Sequence, residues 1–212
     1  MWIRRISAVA ALCFTTTAVA DINLYSSRKE ALIQPLLNQF TEKTGIEVHL
    51  LTGKDDALLS RLKMEGKASP ADLLITADVA RLHRAKEMGL TQSVESVTLN
   101  SAIPANLRDV DSHWFGMTSR ARPIIYAKDR VNPEQLSTYE ALTDEQWKGR
   151  ICIRSSSNVY NQSLVASAIA ANGIEATEAW VEGLVSNFAR PPAGGDTDQL
   201  KAAAAGVCDI AI

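Results

Sequence analysis

The sequence has 212 residues, 46% hydrophobic and 22% charged, which is an ordinary globular composition long enough for one large domain or two small ones. A formal net charge of −2 argues against nucleic acid as a partner, because such surfaces carry a basic excess. No internal segment is apolar over enough residues to span a bilayer.

At the N-terminus, Arg4 and Arg5 precede an apolar run from Ile6 to Phe14, and Ala18-Val19-Ala20 follows. This three-part pattern reads as a secretory signal peptide over residues 1–20, with the mature segment opening at Asp21. A short anchor that is never removed is the alternative. Cys13 leaves with the signal, so the mature segment holds Cys152 and Cys208. An even pair in an oxidising compartment points to a disulfide; two buried free thiols are the other reading.

From Asp21, strands and helices alternate. Residues 22–25 form a short apolar strand. Residues 29–44 carry Leu32, Ile33, Leu36, Leu37 and Phe40 at helical spacing. Pro35 predicts a kink or a later start, and Gly45 ends the helix. Residues 46–51 are a strand, 55–65 a helix with Leu58, Leu59 and Leu62 on one face, and 71–77 a buried strand. Asp78 caps a helix running through Met88 that Gly89 stops. Residues 100–114 are polar and irregular.

A strand over 120–128 then opens a second set of elements: a helix at 136–142, a strand at 150–154, helices at 163–171 and 175–188, a Pro/Gly loop at 189–197, a helix at 200–205 and a strand at 207–212. This alternation predicts an α/β layer fold with mostly parallel sheets. It divides into two lobes, residues 21–118 and 119–212.

Residues 151–162 hold the chemistry. Ile151 and Ile153 run as a strand into Ser155-Ser156-Ser157-Asn158, and a helical pattern opens with Tyr160 in its first turn. A strand–loop–helix start of this kind leaves backbone N–H groups aimed outward, with the positive end of the helix dipole behind them. That is a place for an anion, and a phenol oxygen beside it suggests a shared hard cation. The plainer alternative packs Tyr160 under the loop as a core aromatic and leaves the Ser155–Asn158 run as a helix N-cap with no ligand.

Longer blocks point further. They are Leu24-Tyr25-Ser26-Ser27-Arg28, residues 40–48 (FTEKTGIEV), Ser69-Pro70-Ala71-Asp72, 103–109 (IPANLRD), Trp114-Phe115-Gly116, Arg120-Ala121-Arg122, Trp147-Lys148-Gly149-Arg150, 153–164 (IRSSSNVYNQSL) and 187–199 (NFARPPAGGDTDQ). Together they resemble the bacterial periplasmic ferric-iron-binding proteins. These are the substrate-binding components of iron(III) ABC importers, within the type II periplasmic binding protein class.

The resemblance implies two α/β lobes closing on Fe(III), held by tyrosine phenolates with a carbonate-like synergistic anion. It also implies a periplasmic location, an inner-membrane ABC permease as partner, and a monomer. It makes Tyr160 a metal ligand. Arg28, Ser157 and Asn158 become the anion-binding residues, and Gly194-Gly195-Asp196 flanks the hinge. Some members place a histidine and a tyrosine after the Ser-Ser-Arg motif; here those positions hold Lys29 and Glu30, and Glu30 is left to offer a hard carboxylate oxygen. Two further ligand tyrosines are expected shortly after Ile212. Their absence, with the apolar end at 208–212, reads as a missing C-terminal part; a short terminal strand tied into the sheet is the alternative.

A different anionic solute on the same architecture is the runner-up function, since fold alone does not choose a ligand. A hydrolase built on Ser155–Ser157 lacks both a G-x-S-x-G elbow and a histidine in a recognisable partner motif, so no enzyme activity is expected. His49, His83 and His113 share no metal-ligand spacing and read as structural or exposed.

Overall fold

The computed structural model describes residues 20–212. The signal-peptide reading, apart from Ala20, and Cys13 lie outside the described residues. Packing divides the chain after Thr76 into two compact units.

The first unit holds β1 (Ile22–Ser26), α1 (Glu30–Thr44), β2 (Val48–Thr52), α2 (Asp55–Glu65) and β3 (Leu73–Ile75). Its sheet is all parallel in the order β2-β1-β3, with Ile22 opposite Val48 and Leu24 opposite Leu73. Leu24 packs against Ile33 and Leu37 of α1, with Val48, Leu50 and Ile75 around them. Only part of the apolar repeat of α1 is used this way, since Leu32 and Leu36 stay exposed.

Pro35 sits inside α1, which nevertheless begins at Glu30 rather than later. Gly45 closes the helix at φ 72°, a left-handed conformation that glycine adopts without a Cβ clash, and its N–H donates to the Thr41 carbonyl at 2.8 Å. The predicted buried strand at 71–77 is shorter and more open: β3 spans three residues, and Leu73 is 53% exposed. Among the described residues it is an outer strand of the sheet, with β1 as its one neighbour.

The second unit holds α3 (Val79–Glu87), α4 (Val97–Ala102), β4 (Ile125–Tyr126), β5 (Ile151–Cys152), α5 (Val159–Asn172), α6 (Ile174–Ser186), α7 (Asp196–Ala204) and β6 (Ile210–Ala211). Residues 77–118, assigned from sequence to the first lobe, group with this unit. One tie is the Ser163 hydroxyl on α5, which donates to Asp78 Oδ1 at the start of α3, 2.8 Å away.

The sheet order is β4-β6-β5, with β5 parallel and β4 antiparallel to β6, so this sheet is mixed rather than mostly parallel. Val131, Leu142, Trp147, Ile151, Ile153, Leu184, Ile210 and Ile212 form its core. No helix among the described residues is long and apolar enough to cross a membrane.

Several elements differ from expectation for local reasons. The strand predicted at 120–128 shrinks to two residues. Pro123 has no N–H to give a ladder, and the Arg122 carbonyl accepts from the Tyr139 hydroxyl at 2.7 Å instead of from a strand partner. The helix predicted at 136–142 is replaced by short 3₁₀ turns at Pro133–Gln135 and Glu140–Thr143. The irregular stretch from residue 100 includes the end of α4, which the Ser96 hydroxyl caps by accepting from the Leu99 N–H.

Cys152 and Cys208 form a disulfide, with sulfurs 2.06 Å and Cα atoms 5.8 Å apart. Both are buried, with Ala202, Ala203 and Ala211 around them.

Candidate ligand-binding site

The loop between β5 and α5 is held from three sides. Asn158 is extended (φ −79°, ψ 138°), and its Oδ1 accepts from the Tyr160 N–H at 2.9 Å, capping α5. Asn161, buried one residue further on, donates from Nδ2 to the carbonyls of Arg154 (3.0 Å) and Ser155 (3.3 Å). The Ser155 N–H donates to the Gly194 carbonyl at 3.2 Å. These bonds fix the loop backbone and place Tyr160 in the first turn of α5.

The phenol of Tyr160 is surrounded by positive charge. Arg120 Nη1 donates to its oxygen at 2.8 Å. The guanidinium carbon of Arg154 lies 4.9 Å from the ring centroid, and that of Arg122 lies 5.6 Å away. Each of the latter two is tethered: Arg122 Nη1 to Asn161 Oδ1 at 3.2 Å, and Arg154 Nη1 to Asp196 Oδ1 at 2.6 Å. Asp196 is the first residue of α7, so the Gly194-Gly195-Asp196 segment serves here as a helix start. The Gly195 N–H is satisfied there by Asp198 Oδ2 at 2.7 Å.

The sequence-derived residues occupy distinct positions. Tyr160, Ser157 and Asn158 share this loop–helix junction in the second unit. Ser157 is exposed, with its hydroxyl 2.9 Å from that of Ser155. Asn158 spends its side-chain oxygen on the helix cap, which leaves Nδ2 as the atom able to face a ligand.

Arg28 and Glu30 belong to the first unit. Arg28 lies half-buried in the bend between β1 and α1, its N–H donating to Ser26 Oγ at 3.1 Å, and Glu30 opens α1 exposed to solvent.

Sequence spacing alone does not mark the arginines around the phenol. Arg120 and Arg122 sit two apart in the irregular stretch before β4, and both reach Tyr160. Arg154 directly precedes the serine run. Basic residues at those positions are the signal available in the sequence.

Chemically, the junction offers one hard oxygen donor, three guanidinium groups and two small polar side chains. Guanidinium forks match carboxylate and other planar oxyanions in two-point contact.

Residues 36–207 match the family described as bacterial extracellular solute-binding protein. The chain belongs to this family. Its relatives are binding proteins. Iron uptake protein A1 of Synechocystis sp. is 55% identical over 192 residues, covering 91% of this chain and 53% of that protein.

Among solved structures of the family, the Trichodesmium protein (IdiA, FutA) in complex with iron and citrate ligands superposes with a TM-score of 0.86 at 55% identity, covering 91% of this chain and 60% of that one. The ferric binding protein of Campylobacter jejuni gives 0.84 at 40% identity, covering 91% and 61%. The chain thus spans about half the length of the curated relatives it matches. These likenesses carry the fold class, the α/β architecture of type II periplasmic binding proteins.

Proposed function

We propose that the protein captures Fe(III) in the periplasm, after export by its signal peptide, and delivers it as cargo to an ABC permease in the inner membrane. The supporting observation is the Tyr160 phenol ringed by Arg120, Arg122 and Arg154 in a chain 55% identical to an iron uptake protein. Fe(III) is a hard cation that prefers anionic oxygen. It displaces the phenol proton as it binds, so uptake weakens on acidification.

Three guanidinium groups repel a bare cation and attract one that arrives with an anion. The cargo is therefore Fe(III) with a carbonate-like or carboxylate partner. Ser157 and Asn158 are the anion contacts of the loop, and Arg28 is the anion-binding candidate carried by the first unit. Glu30 is a weaker candidate for a further oxygen ligand. The protein acts as a monomer and performs no catalysis.

Titration with ferric citrate, followed by the phenolate-to-iron charge-transfer band in the visible, tests the reading. The band grows with added iron and disappears in Tyr160→Phe. A colourless titration, or a band that Tyr160→Phe leaves intact, overturns it.

A further inference from the structure

Three ligand-bearing side chains meet on the first unit, apart from the residues assigned above. A carboxylate oxygen from Asp21, another from Glu47 and a ring nitrogen of His49 all lie within 4.8 Å of one another, and all three residues are exposed. His49 Nε2 is 3.1 Å from Asp21 Oδ2. Sequence spacing hides this group, because Asp21 and His49 are 28 residues apart.

Strand register builds the cluster. Asn23 of β1 pairs with His49 of β2, and the Ile22 N–H donates to the Glu47 carbonyl at 2.9 Å. Side chains alternate along a strand. Asp21 and Asn23 therefore leave β1 on the same face that Glu47 and His49 leave β2. Leu24, Val48 and Leu50 take the opposite face and pack against α1. Asp72 pins the start of β1, with Oδ2 accepting from the Asn23 N–H at 2.8 Å and from Asn23 Nδ2 at 3.4 Å. The backbone beneath the three ligands is thus held by sheet pairing.

We propose that Asp21, Glu47 and His49 form a surface site for a divalent first-row transition cation such as Zn²⁺, with water completing its coordination. One imidazole and two carboxylates are a borderline nitrogen–oxygen set, which favours such ions over Mg²⁺ or Ca²⁺. Around zinc, bonds of about 2.0–2.2 Å put tetrahedral ligand atoms roughly 3.4 Å apart, so atoms already within 4.8 Å need only rotamer adjustment. The neutral imidazole presents its Nε2 lone pair and keeps its proton on Nδ1. Two carboxylates that repel each other in the free protein are both neutralised by the ion.

The site lies at the N-terminal ends of β1 and β2. Ligands of α/β sheets bind outside the carboxyl ends of the strands, where the bend bearing Arg28 is found. The ion therefore acts as a clamp between the first residues of β1 and its neighbour, independent of any cargo.

Isothermal titration of the intact chain with zinc chloride in a non-chelating buffer tests the proposal. Saturable uptake is expected in the wild type and in Tyr160→Phe. His49→Ala and Glu47→Gln each weaken it by about tenfold or more, since even partners that only orient a ligand cost that much. Absence of uptake in the wild type overturns the site, as does uptake undiminished in both His49→Ala and Glu47→Gln. Uptake lost in Tyr160→Phe but kept in His49→Ala also overturns it, by assigning zinc to the phenol. The substituted side chains at 47 and 49 are exposed, and far-UV circular dichroism checks that the variants fold.

Discussion

The guanidinium of Arg154 stacks over the Tyr160 ring at 4.9 Å while its Nη1 holds Asp196 Oδ1 at 2.6 Å. One side chain therefore links the phenol to the start of α7. Arg154→Ala removes a cation–π contact and a charge that faces the proposed anion. A contact of this kind contributes about 0.5–2 kcal/mol, and roughly 1.4 kcal/mol is a tenfold change in affinity. We expect a several-fold loss of ferric citrate affinity in the charge-transfer titration, with the fold retained. Unchanged affinity would remove Arg154 from the site.

Closure of the disulfide gives a second prediction. Cys152 and Cys208 are 56 residues apart, and cross-linking a loop of that length removes about 4 kcal/mol of unfolded-state entropy. The Cys152→Ser/Cys208→Ser variant should melt markedly lower than the wild type by circular dichroism. Both sulfurs are buried, so a mild reductant should act on the folded wild type only after local opening. A melting temperature unaffected by the double substitution counts against the bond as a stabilising element.

Acid stability follows from Asp209. Its Oδ1 accepts from Arg130 Nε and its Oδ2 from Arg150 Nε, both at 2.6 Å. Burial alone raises this carboxyl, but the hydrogen bonds from Arg130 and Arg150 outweigh it and hold the group below the usual carboxylate value. A depressed folded pKa contributes stability that is fully present above the unfolded value, about 3.9 for Asp, and is lost as pH falls through the folded value. Glu65 acts in the same direction, held down by Ser69 and Arg61. Asp209→Asn should therefore lower the melting temperature near neutral pH. The gap to wild type should narrow as pH falls below about 4, where the unfolded chain takes up this proton first, and close as pH passes the lower folded value. A gap independent of pH excludes this linkage.

How much of this was readable from sequence depends on the length of each signal. α2 matches its predicted span at both ends, because Leu58, Leu59 and Leu62 repeat at helical spacing. The Asp78 cap and the Gly45 stop are local chemistry and sit where expected. The strand at 120–128 fails because its apolar residues look strand-like while Pro123 and the Tyr139 bond to Arg122 deny it a ladder. Tyr160 at a helix start is visible as a pattern. The convergence of Arg122 and Arg154 on its ring and of Arg120 on its hydroxyl is a tertiary fact, as is the meeting of His49 with Asp21 across two strands.

Trp147 offers a test of core energetics. It is fully buried beside Leu142, Ile151 and Leu184, and its Nε1–H has no hydrogen-bond partner among the described residues. Trp147→Ala empties that volume and should cost about 3–5 kcal/mol. Trp147→Phe leaves a smaller cavity and also removes an unpaired buried donor worth about 1–3 kcal/mol. Both variants remove that donor, so the difference between them reports cavity volume, and Phe should cost far less than Ala in urea denaturation. Equal losses would mean that the phenyl ring recovers none of the packing of the indole.

Asp78 combines two demands that different substitutions separate. Its backbone has φ 75°, where a Cβ is strained, and its Oδ1 accepts from the Ala80 N–H at 2.9 Å and from the Ser163 hydroxyl at 2.8 Å. The side chain repays that strain by capping α3 and tying it to α5. Asp78→Ala keeps the strain and loses both bonds, so it should cost about 1–2 kcal/mol, the upper part of the cap range. Asp78→Gly loses the same bonds but relaxes the backbone, because glycine populates positive φ freely. Asp78→Asn keeps an acceptor oxygen and should stay nearest the wild type. The expected order of urea midpoints is Asp, Asn, Gly, Ala. If Gly fell below Ala, backbone strain at this position would not be a term in the stability of α3.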